Sequence, residues 1–164
     1  MGSFVRIWLH VVFTTRAKAP LIRPEFEKII YDLLRDELKA NGCIVSIING
    51  MSDHVHLLFK TTQTRAVAEI IKNVKGCSAH RLNNMNLMPE KFLWDKGYSC
   101  YSVSEHETEK IYHYISNNKS YHAGVQIEHE MYQLHKTPAE INIHSGVMNH
   151  SFPDECEGDF LIAS

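Results

Sequence analysis

The sequence predicts an α+β sandwich of the ferredoxin-like βαββαβ type, with an added C-terminal helix and an irregular tail. Three observations carry this. Four β-branched or aromatic runs (4–15, 43–48, 54–60 and 99–103) are interleaved with two amphipathic helical stretches in the order strand, helix, strand, strand, helix, strand. A third helical stretch follows the last strand. The 164 residues, 44% of them hydrophobic, suffice for one buried core. That core is assigned to one domain over 1–124, with an acidic extension over 125–164 that is irregular or partly disordered.

The first strand, Phe4 to Thr15, is aromatic, β-branched and partly alternating. His10 lies within it and reads as a satisfied structural histidine. Ala19 to Pro24 breaks the strand, and Pro24 suits the first turn of a helix. Phe26, Ile29, Ile30, Leu33, Leu34 and Leu38 then mark one helical face, closed by Asn41-Gly42. Cys43 to Ile48 is the second strand. Asn49-Gly50 opens a connection of about five residues to an antiparallel third strand, His54 to Lys60. Thr64 begins the second helix, with Val67, Ile70, Ile71, Val74 and Cys77 facing inward. Ser99 to Val103 is the last strand. Ser104 and Glu107 have the spacing of a capping box, and the third helix runs from there to about His122, with Ile111 and Ile115 inward.

Composition narrows the function classes. No apolar run is long enough to span a membrane, and the start lacks the basic, apolar and cleavable pattern of a signal peptide. Cys43, Cys77, Cys100 and Cys156 form no C-x-x-C and read as thiols in a reducing cytoplasm. The net charge of −2 conceals an asymmetry. Residues 1–124 hold 16 Lys and Arg against 12 Asp and Glu, whereas 125–164 hold one Lys against seven acids. A mildly basic body is compatible with a local phosphate-binding surface.

The chemistry centres on His54-Val55-His56. Side chains at i and i+2 of a strand share a face, so both imidazoles project together. They are either half of a metal site or two polar residues on the outer face of an amphipathic strand. The third helix holds Tyr112, Tyr114, Asn118, Tyr121 and His122, and Tyr114 and Asn118 are spaced as neighbours on one helical face. A ferredoxin-like sheet can bring that helix across the histidine strand. Two imidazoles and an amide oxygen suit Mn²⁺ and tolerate Mg²⁺. A cation there would clamp a phosphate, and a nearby tyrosine could attack the phosphorus. Helix tyrosines ordinarily pack at an edge of the core, and from the residues alone that is the default reading of each.

Several ordered motifs resemble one family. They are Trp8-Leu9-His10-Val11-Val12-Phe13-Thr14-Thr15-Arg16, Asn49-Gly50-Met51-Ser52-Asp53-His54-Val55-His56-Leu57-Leu58, Ile71-Lys72-Asn73-Val74-Lys75-Gly76 through Ser78, Trp94-Asp95-Lys96-Gly97-Tyr98 with Tyr101-Ser102-Val103-Ser104, and Tyr114-Ile115-Ser116-Asn117-Asn118. In this order they resemble the HUH single-tyrosine transposases of small insertion sequences, the 200/605 type, over residues 4–122. The resemblance implies that Tyr114 is the nucleophile, forming a 5′-phosphotyrosine with single-stranded DNA and leaving a free 3′-hydroxyl. His54, His56 and Asn118 would bind Mg²⁺ or Mn²⁺. The family usually carries Gln where this chain has the shorter Asn118, and His122 is a fallback ligand. The resemblance further implies a homodimer, with the tyrosine helix serving the partner's histidines, that recognises hairpin ends. Arg16, Lys18, Arg65, Lys72, Lys75 and Arg81 are the expected DNA contacts, with solvated charge as the alternative for each.

Three other readings compete with it. A decayed or domesticated relative would bind hairpin DNA without cutting it. A Zn²⁺ hydrolase would use His54, His56 and His122. A plain ferredoxin-like RNA-binding module would leave the histidine and tyrosine motifs unused.

Overall fold

The computed structural model describes residues 4–121 and 134–135. The expected acidic extension therefore lies outside the described residues apart from Leu134 and His135, and so does His122. The sheet and its helices belong to the compact unit Met1–Gly124.

Four strands form one antiparallel sheet: β1 (Trp8–Thr14), β2 (Ile44–Gly50), β3 (His54–Lys60) and β4 (Ser99–Val103), in spatial order β2-β3-β1-β4. The two crossovers are α1 (Pro24–Ala40) and α2 (Val67–Asn84), which gives the βαββαβ order. One face of the sheet presents Leu9, Val11, Phe13, Val55, Leu57 and Phe59 to Ile30, Leu34 and Leu38 of α1 and Ile70, Ile71 and Val74 of α2. Burial of these side chains is the main stabilising term of the unit, at about 1.5–3 kcal/mol each. The opposite face carries His10, Val12, His54, His56 and Leu58. It is roofed by α3 (Thr108–Ser116), which packs on β2 and β3 through buried Ile111 and Ile115.

Element limits differ from the sequence reading in several places. β1 begins at Trp8 rather than Phe4: the ladders with β3 and β4 start at Trp8, opposite Lys60 and Val103, and before it the Ile7 carbonyl accepts one bond from the Thr61 amide (2.9 Å). β2 extends through Asn49 and Gly50, which pair with His56 and Val55, so the connection is only Met51–Asp53. Gly50 permits this: a Cβ there would stand 2.1 Å from the His54 carbonyl oxygen. α2 begins at Val67, because the Thr62 hydroxyl bonds the Thr64 hydroxyl and accepts from its amide (2.9 and 3.3 Å), holding that segment in a turn. Cys77 is exposed, since the inward stripe of α2 runs through Val74, Ser78 and Leu82.

The third helix is not continuous. A single 3-10 turn (Glu105–Glu107) leads into α3, and Ser104 Oγ bonds the Glu107 carboxylate (2.8 Å). α3 ends at Asn117, whose backbone leaves the helical region (φ −104°, ψ 11°) and whose amide donates to the His113 carbonyl (2.9 Å). A short turn of helix, α4 (Asn118–Tyr121), follows and packs on β2. Among the described residues no helix is long and apolar enough to cross a membrane.

Candidate functional site

The site lies on the α3 side of the sheet, built outward from β3. That strand is buried on both faces, and the turn before it is fixed from two sides. Thr15 donates backbone and hydroxyl bonds to the Asp53 carbonyl (2.8 and 3.1 Å), and the Ile22 amide donates to the Ser52 carbonyl (2.8 Å). His54 and His56 consequently enter the sheet with little freedom, 5% and 0% exposed. Their rings lie 5.1 Å apart between centroids, at 75°.

Each histidine is held at Nδ1. His54 Nδ1 is 2.7 Å from the Asp53 carboxylate, and His56 Nδ1 is 3.0 Å from His10 Nε2. Imidazoles that ligate a metal through Nε2 are commonly oriented in this way, by a partner on the other ring nitrogen. His10, expected as a satisfied structural histidine, is buried and hydrogen-bonded, but its partner is a histidine of the site. The His10 and His56 ring centroids lie 5.3 Å apart at 26°, and His10 also meets Tyr101 and Tyr114 (6.3 and 6.4 Å).

Tyr114, on α3, stands edge-on to His56 with ring centroids 5.7 Å apart. The sequence predicted this meeting of helix and strand, and one chain brings it about. The device that sets it was missed. Asn49, opposite His56 in the β2–β3 register, donates its amide to the Ile115 and Ser116 carbonyls at the end of α3 (2.8 and 3.3 Å). Asn49 thereby links the histidine strand to the residue next to the tyrosine. Beside glycine it had the signature of a turn, which concealed this role.

Asn118 is fully buried, and among the described residues neither its amide oxygen nor its amide nitrogen has a hydrogen-bond partner. An orphaned buried amide is costly, about 1–3 kcal/mol, and is a common mark of a group reserved for a ligand. Among the described residues no three His, Cys, Asp or Glu side chains converge on a metal site. The residue types present fit a divalent cation: two imidazoles oriented from β3, and on α4 a buried amide whose oxygen is available as a donor.

The expected DNA contacts are not equivalent. Arg16, Lys18 and Lys72 are exposed. Arg65 donates to the Asn41 side-chain oxygen (2.9 Å), and Arg81 pairs with Glu37 and Asp36 (2.8 and 3.3 Å). Lys75 is only 9% exposed and donates to the Lys96 and Gly97 carbonyls (2.9 and 2.8 Å). Burial pushes its ammonium below the usual lysine range, partly opposed by Asp95. A cleft of about 590 Å³ lies between α2 and the segment 91–98, away from the histidines, with Lys72, Lys91, Trp94, Lys96 and Tyr98 in its walls.

The family model of IS200-like transposases matches residues 3–118. The ISDra2 transposase TnpA of Deinococcus radiodurans is 30% identical over 121 residues, 71% of this chain and 86% of that protein. A crystal structure assigned as a transposase from Deinococcus radiodurans R1 is 29% identical, with a TM-score of 0.57, over 71% of this chain and 94% of that one. A REP-associated tyrosine transposase bound to a REP hairpin shares the fold, with a TM-score of 0.57 at 10% identity, over 99% of this chain and all of that one. With the family match spanning most of the chain, this protein belongs to the IS200-like transposases.

Proposed function

We propose that this transposase binds hairpin ends of single-stranded DNA and cuts and rejoins the strand through a covalent tyrosine intermediate. The observation that carries the reading is the edge of the Tyr114 ring set against His56, with His54 beside it. Tyr114 Oη attacks the phosphorus. The Oη–P bond forms as the bond to the 3′ oxygen breaks, the phenol proton is released, and the departing 3′ oxygen takes up a proton. His54, His56 and Asn118 would hold Mg²⁺ or Mn²⁺, which when bound supplies positive charge to the non-bridging phosphate oxygens. The phosphotyrosine stays on the 5′ end, and attack by a 3′-hydroxyl reverses the step to join strands.

Arg16 and Lys72 are the strongest candidates for phosphate contacts, being exposed, and Lys18 is exposed near Arg16. Arg65 and Arg81 contribute less, each bonded to protein groups, and Lys75 is buried. The cleft beside α2 pairs lysines with Trp94 and Tyr98, a combination suited to an unpaired stretch of strand. The hairpin in the REP-associated relative agrees with this class of DNA, and the family resemblance supports a homodimer.

The test is incubation of the purified chain, in Mg²⁺ or Mn²⁺, with a single-stranded oligonucleotide carrying the ends of its own element. A protein–DNA species should survive a denaturing gel and disappear in Tyr114→Phe. Nicking that persists in Tyr114→Phe would sink the assignment of the nucleophile. One observation favours a second reading: Asn118 is a methylene shorter than the family's usual Gln. Hairpin binding without any adduct would identify the chain as a decayed binding protein.

A further inference from the structure

We infer that His10 is a positioning residue that locks His56 in the tautomer whose Nε2 lone pair faces a cation. This rests on the proposed metal site and adds a residue from a different strand to it. The contact between His10 Nε2 and His56 Nδ1 is 3.0 Å and fully buried, so it holds one proton between two nitrogens. There are two ways to place that proton. If His10 donates, His56 Nδ1 carries the lone pair, and the neutral ring bears its hydrogen on Nε2, which cannot then ligate. If His56 donates, its Nε2 is a lone pair and His10 Nε2 is the acceptor. Only the second arrangement makes His56 a ligand.

The neighbouring histidine points the same way. His54 Nδ1 faces the Asp53 carboxylate at 2.7 Å, an acceptor that requires a hydrogen on Nδ1 and so leaves Nε2 as the ligating atom. His10 therefore does for His56 what Asp53 does for His54, using a neutral acceptor. His10 and His56 lie on adjacent strands whose register pairs Val12 with His56 and His10 with Leu58, and the two rings meet end to end, with centroids 5.3 Å apart and planes at 26°, as a shared in-plane hydrogen requires.

The test compares His10→Gln with His10→Met in the full chain. Gln can place an amide oxygen near the original Nε2 and still accept, whereas Met has similar length and a far weaker acceptor. Mn²⁺ titration followed by the electron paramagnetic resonance signal of free Mn²⁺ should show roughly 10–100-fold weaker binding in His10→Met, with most of the affinity restored in His10→Gln. Ring nitrogen-15 spectra of the metal-free protein should place the His56 hydrogen on Nδ1 in the wild type and in His10→Gln, and shift it toward Nε2 in His10→Met. A folded His10→Met that binds Mn²⁺ as tightly as the wild type would overturn the inference, as would an Nε2–H tautomer in the wild type. If His10→Met does not fold, the wild-type spectrum and His10→Gln decide it. A wild type that binds no Mn²⁺ would instead refute the metal reading, leaving the tautomer to the spectra.

Discussion

Asn118 sits where stability and chemistry pull in opposite directions. Its amide is fully buried with no hydrogen-bond partner among the described residues, a cost the fold would shed if an apolar side chain of the same shape replaced it. Asn118→Leu should therefore raise the free energy of unfolding by about 1 kcal/mol, read by urea denaturation, while weakening Mn²⁺ binding. A variant that loses both stability and binding would show that Asn118 is a packing residue. Lys75 gives a second, independent test. Burial lowers its pKa, so between that lowered value and the unfolded value of 10.5 the unfolded chain binds more protons. Below the lowered value the cost of the buried charge is fully present, and it is relieved as pH rises. The stability of Lys75→Met relative to the wild type should accordingly fall from neutral pH toward about pH 10, as the wild type alone gains from relief of its buried charge, measured by urea denaturation of both proteins across that range. His54, His56 and Tyr114 were legible because their spacing and motifs are local. His10 and Asn49 were not, because their roles depend on partners 46 and 66 residues away that only register brings near.

Among the elements, α3 owes its placement to a clasp as well as to packing. Ile111 and Ile115 bury its inner face, and Asn49 holds its last carbonyls. Asn49→Ala should cost about 1 kcal/mol of stability. It should slow formation of the covalent adduct by loosening the helix that carries Tyr114. Adduct rate and urea denaturation, measured side by side, check this: lowered stability with an unchanged rate would show that the clasp serves the fold alone. The order of elements, the extent of β3 and β4 and, Cys77 excepted, the inward faces of the helices follow from hydrophobic period and could be read directly. The breaks could not. β2 reaches two residues further than its turn-like Asn49-Gly50 implied, because Gly50 tolerates the approach of the His54 carbonyl. The third helix ends early, because the Asn117 amide competes for a helical carbonyl.

Across the whole molecule, charge should determine how tightly DNA is held but not how it is cut. Arg16 and Lys72 are exposed, whereas Arg81 is committed to Glu37 and Asp36. Arg16→Ala and Lys72→Ala should each lower the salt dependence of hairpin binding by about one unit of log–log slope, followed by fluorescence anisotropy over a salt series. Arg81→Ala should leave the slope nearly unchanged, and an equal drop there would move the DNA track onto the α1–α2 side. The sheet separates the two tasks. On one side the strands meet α1 and α2 in an apolar core, and on the other they carry the imidazoles beneath α3. Inheritance can act on these sides separately. A lineage that no longer needs to move DNA can let its histidines, tyrosine or buried amide drift, and its descendants will still fold and keep their basic surface. Retired copies would then persist as ready-made hairpin readers, available for duties in their host that require holding a strand without breaking it.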